Sequence, residues 1–222
     1  FSDYIFCISD YLIQFYRQNG AGTKKLFKVP STVDVTRFDS RVDRKLRYKY
    51  ICYAGRLTRE KDGVDILIRS FALIKSDFND VNLVLVGKAD TNEDEAFFRK
   101  LVTELDIKDR VLFTGKLPRN DIPAYICNAE LLALARPRSI VADAGFPSKV
   151  SEYLSTGRPV VVTKVGEIPA YLTDGQNAFL ADPDSVSDFA EKLRLALMDE
   201  AQAMKVGTNG KEIAQSVFNY RF

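Results

Sequence analysis

Two cations bracket a turn that follows the apolar run Tyr50–Ala54: the segment reads Gly55-Arg56-Leu57-Thr58-Arg59-Glu60-Lys61-Asp62-Gly63. Gly55 lets the backbone leave a strand end tightly. Arg56 can aim a planar fork of donors into a crevice and Lys61 can add a point charge. Such a pair, at a strand end facing the start of a helix, suits a diphosphate; it also reads as ordinary solvated loop charge. A second group is Phe146-Pro147-Ser148-Lys149-Val150-Ser151-Glu152-Tyr153-Leu154. Pro147 suits a helix start and Gly157 a helix stop, which places Lys149 in the first turn. There the helix dipole disfavours a lone cation by roughly 0.3–1 kcal/mol, and a bound anion reverses the sign. Glu152 lies three residues further on, on the same face. Lys149, Glu152 and the helix end could hold a phosphate and a pair of sugar hydroxyls. The plainer reading is a Lys149–Glu152 surface ion pair worth little. Gly87, Gly115 and Gly166 each follow an apolar run, which is common turn chemistry. Lys116 and Leu117, after Gly115, could frame a base through backbone groups and apolar contact.

Composition narrows the chemistry. The 222 residues carry 32 Lys plus Arg against 30 Asp plus Glu, and no His. No Ser-His-Asp or Cys-His nucleophile and no His zinc site can be built from this chain, so a general base must be a carboxylate, Lys or Tyr. A net charge of +2 gives no global attraction for nucleic acid. Cys7, Cys52 and Cys127 are scattered without metal spacing and read as small buried hydrophobes in a reducing compartment. No apolar run approaches the length of a membrane span. The chain opens at Phe1 inside an apolar run, which suggests a piece of something longer.

The elements that must position these residues alternate regularly. Strands are expected at Ile5–Ile8, Leu26–Val29, Tyr50–Ala54, Leu83–Val86, Val111–Phe113, Leu131–Leu134, Val160–Val162 and Phe179–Leu180. Between them fall helices from about Asp10 to Asn19, over Val64–Ile74, through Phe97 to Leu105, from about Asn120 to Asn128, and from Pro147. A loop with Pro137 and Gly145 leads to this last helix, and Glu167–Leu172 is a helical turn. Two helices, about Val186–Met198 and Ala201–Val217, close the chain. Short continuous Val/Leu/Ile runs with helical crossovers predict an α/β fold: a Rossmann-like, doubly wound parallel sheet, with ligands at the carboxyl ends of strands. The stretch from Val33 to Lys49 is polar, with Arg37, Arg41, Arg44, Lys45, Arg47 and Lys49 interleaved with Asp34, Asp39 and Asp43. It reads as a solvated linker, or more sharply as a contact for an acidic membrane surface or partner domain. A boundary follows from it: residues 1–45 as a terminal unit plus linker, and 46–222 as the Rossmann-like domain.

The order of blocks resembles a known family. YICYAGRLTREKDGVDILIRSFALI, VNLVLVGKA, VLFTGKLPRNDIPAYICNAELLALA and GFPSKVSEYLSTGRPVVVTKVGEIPAYLTDGQNAFLADPDS resemble the C-terminal, donor-binding half of retaining GT-B glycosyltransferases of family 4 (group 1). The resemblance runs from about Tyr50 to the end, where FNYRF resembles the region in which the family's last helix crosses back. CISDYLIQFYRQNG and KKLFKVPSTVDVTRF resemble the last unit of its acceptor-side domain plus linker.

The resemblance implies a hexosyltransferase that uses a nucleoside-diphosphate sugar, UDP- or GDP-linked, with no further cofactor and no required metal. Arg56, Lys61 and Lys149 are implied at the diphosphate, Glu152 at the ribose, and Gly115, Lys116 and Leu117 at the base. Gly55 and Gly87 are implied as close-approach glycines. The first Glu of the family's Glu-x7-Glu motif, which contacts the donor sugar, falls on Ala144, with Asp143 adjacent as a substitute. The Pro-Ser-Lys form of the motif resembles a branch found in surface-polysaccharide and lipopolysaccharide assembly. The implied acceptor is a sugar or lipid-linked sugar bound mainly by an N-terminal domain, to which the family's catalytic His, where present, belongs. Nucleic acid is not an implied partner. The implied place is cytoplasmic, with peripheral association at the inner membrane face open for the full-length protein. The rival readings are a nucleotide-binding module without transfer activity, which Ala144 favours, and a sugar-nucleotide epimerase of GT-B fold.

Overall fold

The computed structural model describes residues 3–38 and 42–221. Arg41 and Asp39 of the basic linker, and Phe222 of the terminal FNYRF block, lie outside the described residues. The strands are β1 Ile5–Cys7, β2 Leu26–Lys28, β3 Lys49–Ala54, β4 Val81–Val86, β5 Val111–Gly115, β6 Leu131–Leu134, β7 Val160–Thr163 and β8 Phe179–Ala181. The α-helices are α1 Asp10–Gln18, α2 Val64–Ile74, α3 Asn92–Glu104, α4 Ile122–Ile126, α5 Ile140–Asp143, α6 Ser148–Ser155, α7 Ile168–Tyr171, α8 Val186–Met198 and α9 Glu200–Ile213.

Six strands form one parallel sheet in the order β5-β4-β3-β6-β7-β8. The sheet starts in its middle with β3, runs outward to one edge through β4 and β5, then returns to the other side of β3 with β6. That is the doubly wound Rossmann-like order, and its reversal between β3 and β6 opens a crevice at their carboxyl ends. The apolar runs are continuous because both faces are covered: Tyr50, Ile51, Cys52 and Tyr53 of β3 and Leu131 to Leu134 of β6 are all buried.

Two departures from the sequence reading bear on the site. The stretch before α6 carries a short helix, α5, because Ser139 caps it by accepting from the Ala142 N–H at 3.1 Å. The last expected helix ends at Ile213 and widens into a π-type turn over Ala214–Phe218, which turns the chain back toward the linker. There the Val33 N–H donates to Phe218 O at 2.7 Å and the Tyr220 N–H to Val33 O at 3.2 Å.

β1 and β2 pair in parallel around α1 and hold a small core of their own, Cys7, Ile13 and Leu26. Val33 and Phe38 of the linker belong to the larger core. No described helix is long and apolar enough to cross a membrane.

Candidate donor site at the sheet's switch point

β3 ends at Ala54, whose backbone is pinned from α6: the Ala54 N–H donates to the Tyr153 hydroxyl at 2.7 Å. The next residue, Gly55, donates to Val86 O at 2.8 Å, which lays the ends of β3 and β4 side by side. The approach is close enough to require glycine. A Cβ on Gly87, at φ +142°, would sit 1.8 Å from Gly55 O. A Cβ on Gly55 would sit 2.0 Å from Lys149 Cε, so the Lys149 side chain runs directly across this glycine.

The Lys149 ammonium ends on Asp62, at 2.9 Å from Oδ2. Asp62 precedes α2 and is only 2% exposed; it also accepts from the Tyr53 hydroxyl at 2.8 Å, and its own N–H donates to Thr58 Oγ1. Burial, with the Asp62 charge beside it, holds the Tyr53 phenol well above its ordinary pKa, so it stays a donor. Arg136, 6% exposed, follows β6 into the same region. Asp62 Oδ1 and Arg136 Nε are buried without a hydrogen-bond partner among the described residues. A cavity of about 220 Å³ is lined here by Lys61, Asp62, Arg136, Ser148 and Lys149 among others. Three cations stand against one carboxylate, a net excess of two positive charges. The α6 N-terminus adds donors of its own, since Pro147 at its cap makes no side-chain capping bond.

Beyond Gly55 a second cavity, of about 520 Å³, is lined by Gly55, Arg56, Gly87, Lys116 and Leu117 among others. Arg56 is exposed and holds Asp90 through Nε at 2.9 Å. Lys61 is exposed and makes no ion pair among the described residues. β5 pairs Phe113 with Leu85 but Gly115 with Val86, so Thr114 bulges; Gly115 then takes φ +69° and turns residues 116 and 117 toward the crevice.

The structure therefore places Gly55, Arg56, Gly87, Lys116 and Leu117 around the larger cavity and Lys61 and Lys149 around the smaller one, with the Lys149 side chain crossing Gly55 between them. Glu152 and Asp143 line neither cavity. Lys149 pairs with Asp62, not Glu152, because its extended side chain reaches across to β3 while Glu152 points elsewhere on the helix. Glu152 is half-buried and makes no hydrogen bond or ion pair among the described residues. Burial raises its pKa, against the opposing pull of Arg37, Lys149 and Arg119. Asp143 likewise has no side-chain partner among the described residues. Asp62, Tyr53 and Arg136 were not singled out from the sequence. A charge directly after a fully apolar strand, as Arg136 follows Leu131–Ala135, is the signal that could have found it. No three His, Cys, Asp or Glu side chains cluster as a metal site among the described residues.

The sequence profile of the glycosyl transferases group 1 family matches residues 34–213. The chain belongs to that family. Among its relatives, an uncharacterized glycosyltransferase of Bacillus subtilis, YqgM, is 27% identical over 86% of this chain and 51% of its own length. The MMP alpha-(1->4)-mannosyltransferase of Mycolicibacterium hassiacum is 28% identical over 89% of this chain and 46% of its own. The chain thus spans about half the length of these curated relatives. The Anabaena protein Alr3699/HepE, solved with UDP and glucose, superposes with a TM-score of 0.81 at 22% identity, covering 99% of this chain and 60% of that one. The six-stranded parallel sheet matches the Rossmann-like fold of these GT-B glycosyltransferase neighbours.

Proposed function

We propose that this chain is the donor-binding portion of a retaining glycosyltransferase of family 4, and that its switch-point crevice takes a nucleoside-diphosphate sugar. The observation that carries the reading is the charge set beside α6: Lys61, Lys149 and Arg136 against Asp62 alone. A diphosphate of about two negative charges complements it. Arg56 adds a fork at the other cavity, where Lys116 and Leu117, turned inward by Gly115, would frame the base; Glu152, outside both cavities, would accept from the ribose hydroxyls. Structures of the Anabaena protein with UDP-glucose and UDP, and relatives named as mannosyltransferases, support this assignment.

In the proposed reaction the bond from the sugar's anomeric carbon to the β-phosphate oxygen breaks, and its electron pair leaves with the phosphate. The acceptor hydroxyl forms the new bond on the same face, and its proton passes to that phosphate oxygen. Lys61, Lys149 and the α6 N–H groups would stabilise the charge growing on the leaving phosphate. The acceptor, a sugar or lipid-linked sugar of surface-polysaccharide or glycolipid assembly, would be held mainly by the remainder of the full-length protein. Peripheral seating at the inner membrane face would bring it to such an acceptor.

Titration calorimetry with UDP and with GDP tests the donor site. One of them is expected to bind weakly, and Arg56→Ala or Lys61→Ala to weaken it about threefold to tenfold through lost charge-assisted hydrogen bonds. No binding of either at millimolar concentration, or unchanged affinity in both variants, overturns the assignment. The chain by itself is expected to transfer no sugar; multiple turnover onto any acceptor would refute the division of labour.

A further inference from the structure

Glu167 stands just before α7, and its side chain is 7% exposed. A carboxylate so placed needs partners: Oε1 has a hydrogen-bond donor and Oε2 an ion-pair contact without a hydrogen bond among the described residues, and both partners come from the β1–α1–β2 unit. The Asp10 N–H, at the start of α1, donates to Oε1 at 2.7 Å. Lys28 Nζ, at the end of β2, lies 2.5 Å from Oε2 and also donates to Asp10 Oδ2 at 2.7 Å. Burial alone would lower the Lys28 pKa, but its bonds to Asp10 and Glu167 hold it above its ordinary value. The positive end of the α1 dipole faces the same carboxylate. The charge of Glu167 is therefore satisfied only while that unit stays seated.

The start of α1 also grips the donor site. Ser9 Oγ accepts from the Leu12 N–H and donates to Ala144 O at 2.7 Å, so one hydroxyl caps its own helix and holds residue 144. Gly166, next to Glu167, is pressed on the same stretch from the other side. At φ +54°, a Cβ there would sit 2.2 Å from Ala142 O and 2.6 Å from Gly145 O. The backbone from 142 to 145 is thus held between Ser9 and Gly166, and it leads straight into Ser148 and Lys149 at the cavity.

We propose that Glu167 is a positioning residue that, with Ser9 and Lys28, clasps the segment carrying Ala144 and Gly145 to the β1–α1–β2 unit, so that nucleotide affinity depends on how that unit is seated. The part concerning affinity rests on the donor-site reading above; the clasp itself does not. Breaking it frees the segment without touching any side chain that lines the cavity.

The test uses Glu167→Gln and Ser9→Ala in the 222-residue chain. Without nucleotide, amide exchange across residues 142–148 is expected to quicken about tenfold in Glu167→Gln and less in Ser9→Ala, because local opening becomes easier. UDP or GDP affinity is expected to fall about threefold to tenfold in the same order, since ordering the segment then draws on binding. Ser9→Ala loses two neutral hydrogen bonds and no charge, and keeps the test informative should Glu167→Gln fail to fold. A lower Tm with exchange and affinity both unchanged makes Glu167 a stability residue only and overturns the proposal. A wild-type chain that binds neither nucleotide sinks the donor-site reading, and the exchange result still decides the clasp.

Discussion

Replacing Glu152 by Gln should move stability and binding in opposite directions. The carboxylate is half-buried, has no partner among the described residues, and has its pKa raised by desolvation. It therefore costs the unliganded protein free energy. A folded-state pKa above the unfolded value means that the folded chain binds more protons near and above the ordinary value of 4.5, so stability falls as pH rises through this window. Glutamine removes the charge at almost constant shape. The gain shows as a raised Tm, kept small because the group is partly exposed to solvent. If the carboxylate accepts the ribose hydroxyls, losing two charged-acceptor hydrogen bonds weakens UDP or GDP by about 1.5–3 kcal/mol, tenfold to a hundredfold. Differential scanning fluorimetry and titration calorimetry on one pair of proteins measure both. A 2′,3′-dideoxy nucleotide should bind wild type and variant almost equally. The wild-type affinity for the ribonucleotide should also fall as pH drops through the raised pKa, and the variant's should not. An unchanged or lower Tm, or equal loss for ribo- and dideoxynucleotide, would refute the reasoning and leave Glu152 a structural residue.

Lys149→Met should destabilise the chain by about 3 kcal/mol, because it strands the buried Asp62 charge. Adding Asp62→Asn should recover much of the denaturation midpoint and none of the nucleotide affinity. Gly87→Ala should cost roughly 3 kcal/mol or prevent folding, since its Cβ would collide with Gly55 O at an unfavourable φ; urea denaturation checks it. The Cys52 thiol, fully buried with its pKa raised by desolvation, should stay unreactive toward a disulfide reagent until the chain unfolds in denaturant.

The period of the apolar runs made the sheet legible. Val64–Ile74 and Val186–Met198 fall where the pattern puts them, because crossover helices packed on a buried sheet obey local rules. The crevice was legible too, since strand ends follow from strand bounds. What could not be read was pairing at a distance. Lys149 has an acid three residues away and takes one 87 positions back, because the fold carries its side chain over Gly55. Glu167 gives no local sign that its partners sit at Asp10 and Lys28. The bulge at Thr114 was hidden for a similar reason: it exists only in register with β4.

The bond between Val33 and Phe218 has a consequence for how this architecture travels between proteins. Residues 33 and 218–220, which flank the large sheet in the sequence, lie next to each other. A module with adjoining ends can be lifted out and inserted into another polypeptide without rethreading any strand. Joining the two ends by a few residues and cutting elsewhere should likewise give a circularly permuted domain with its crevice intact.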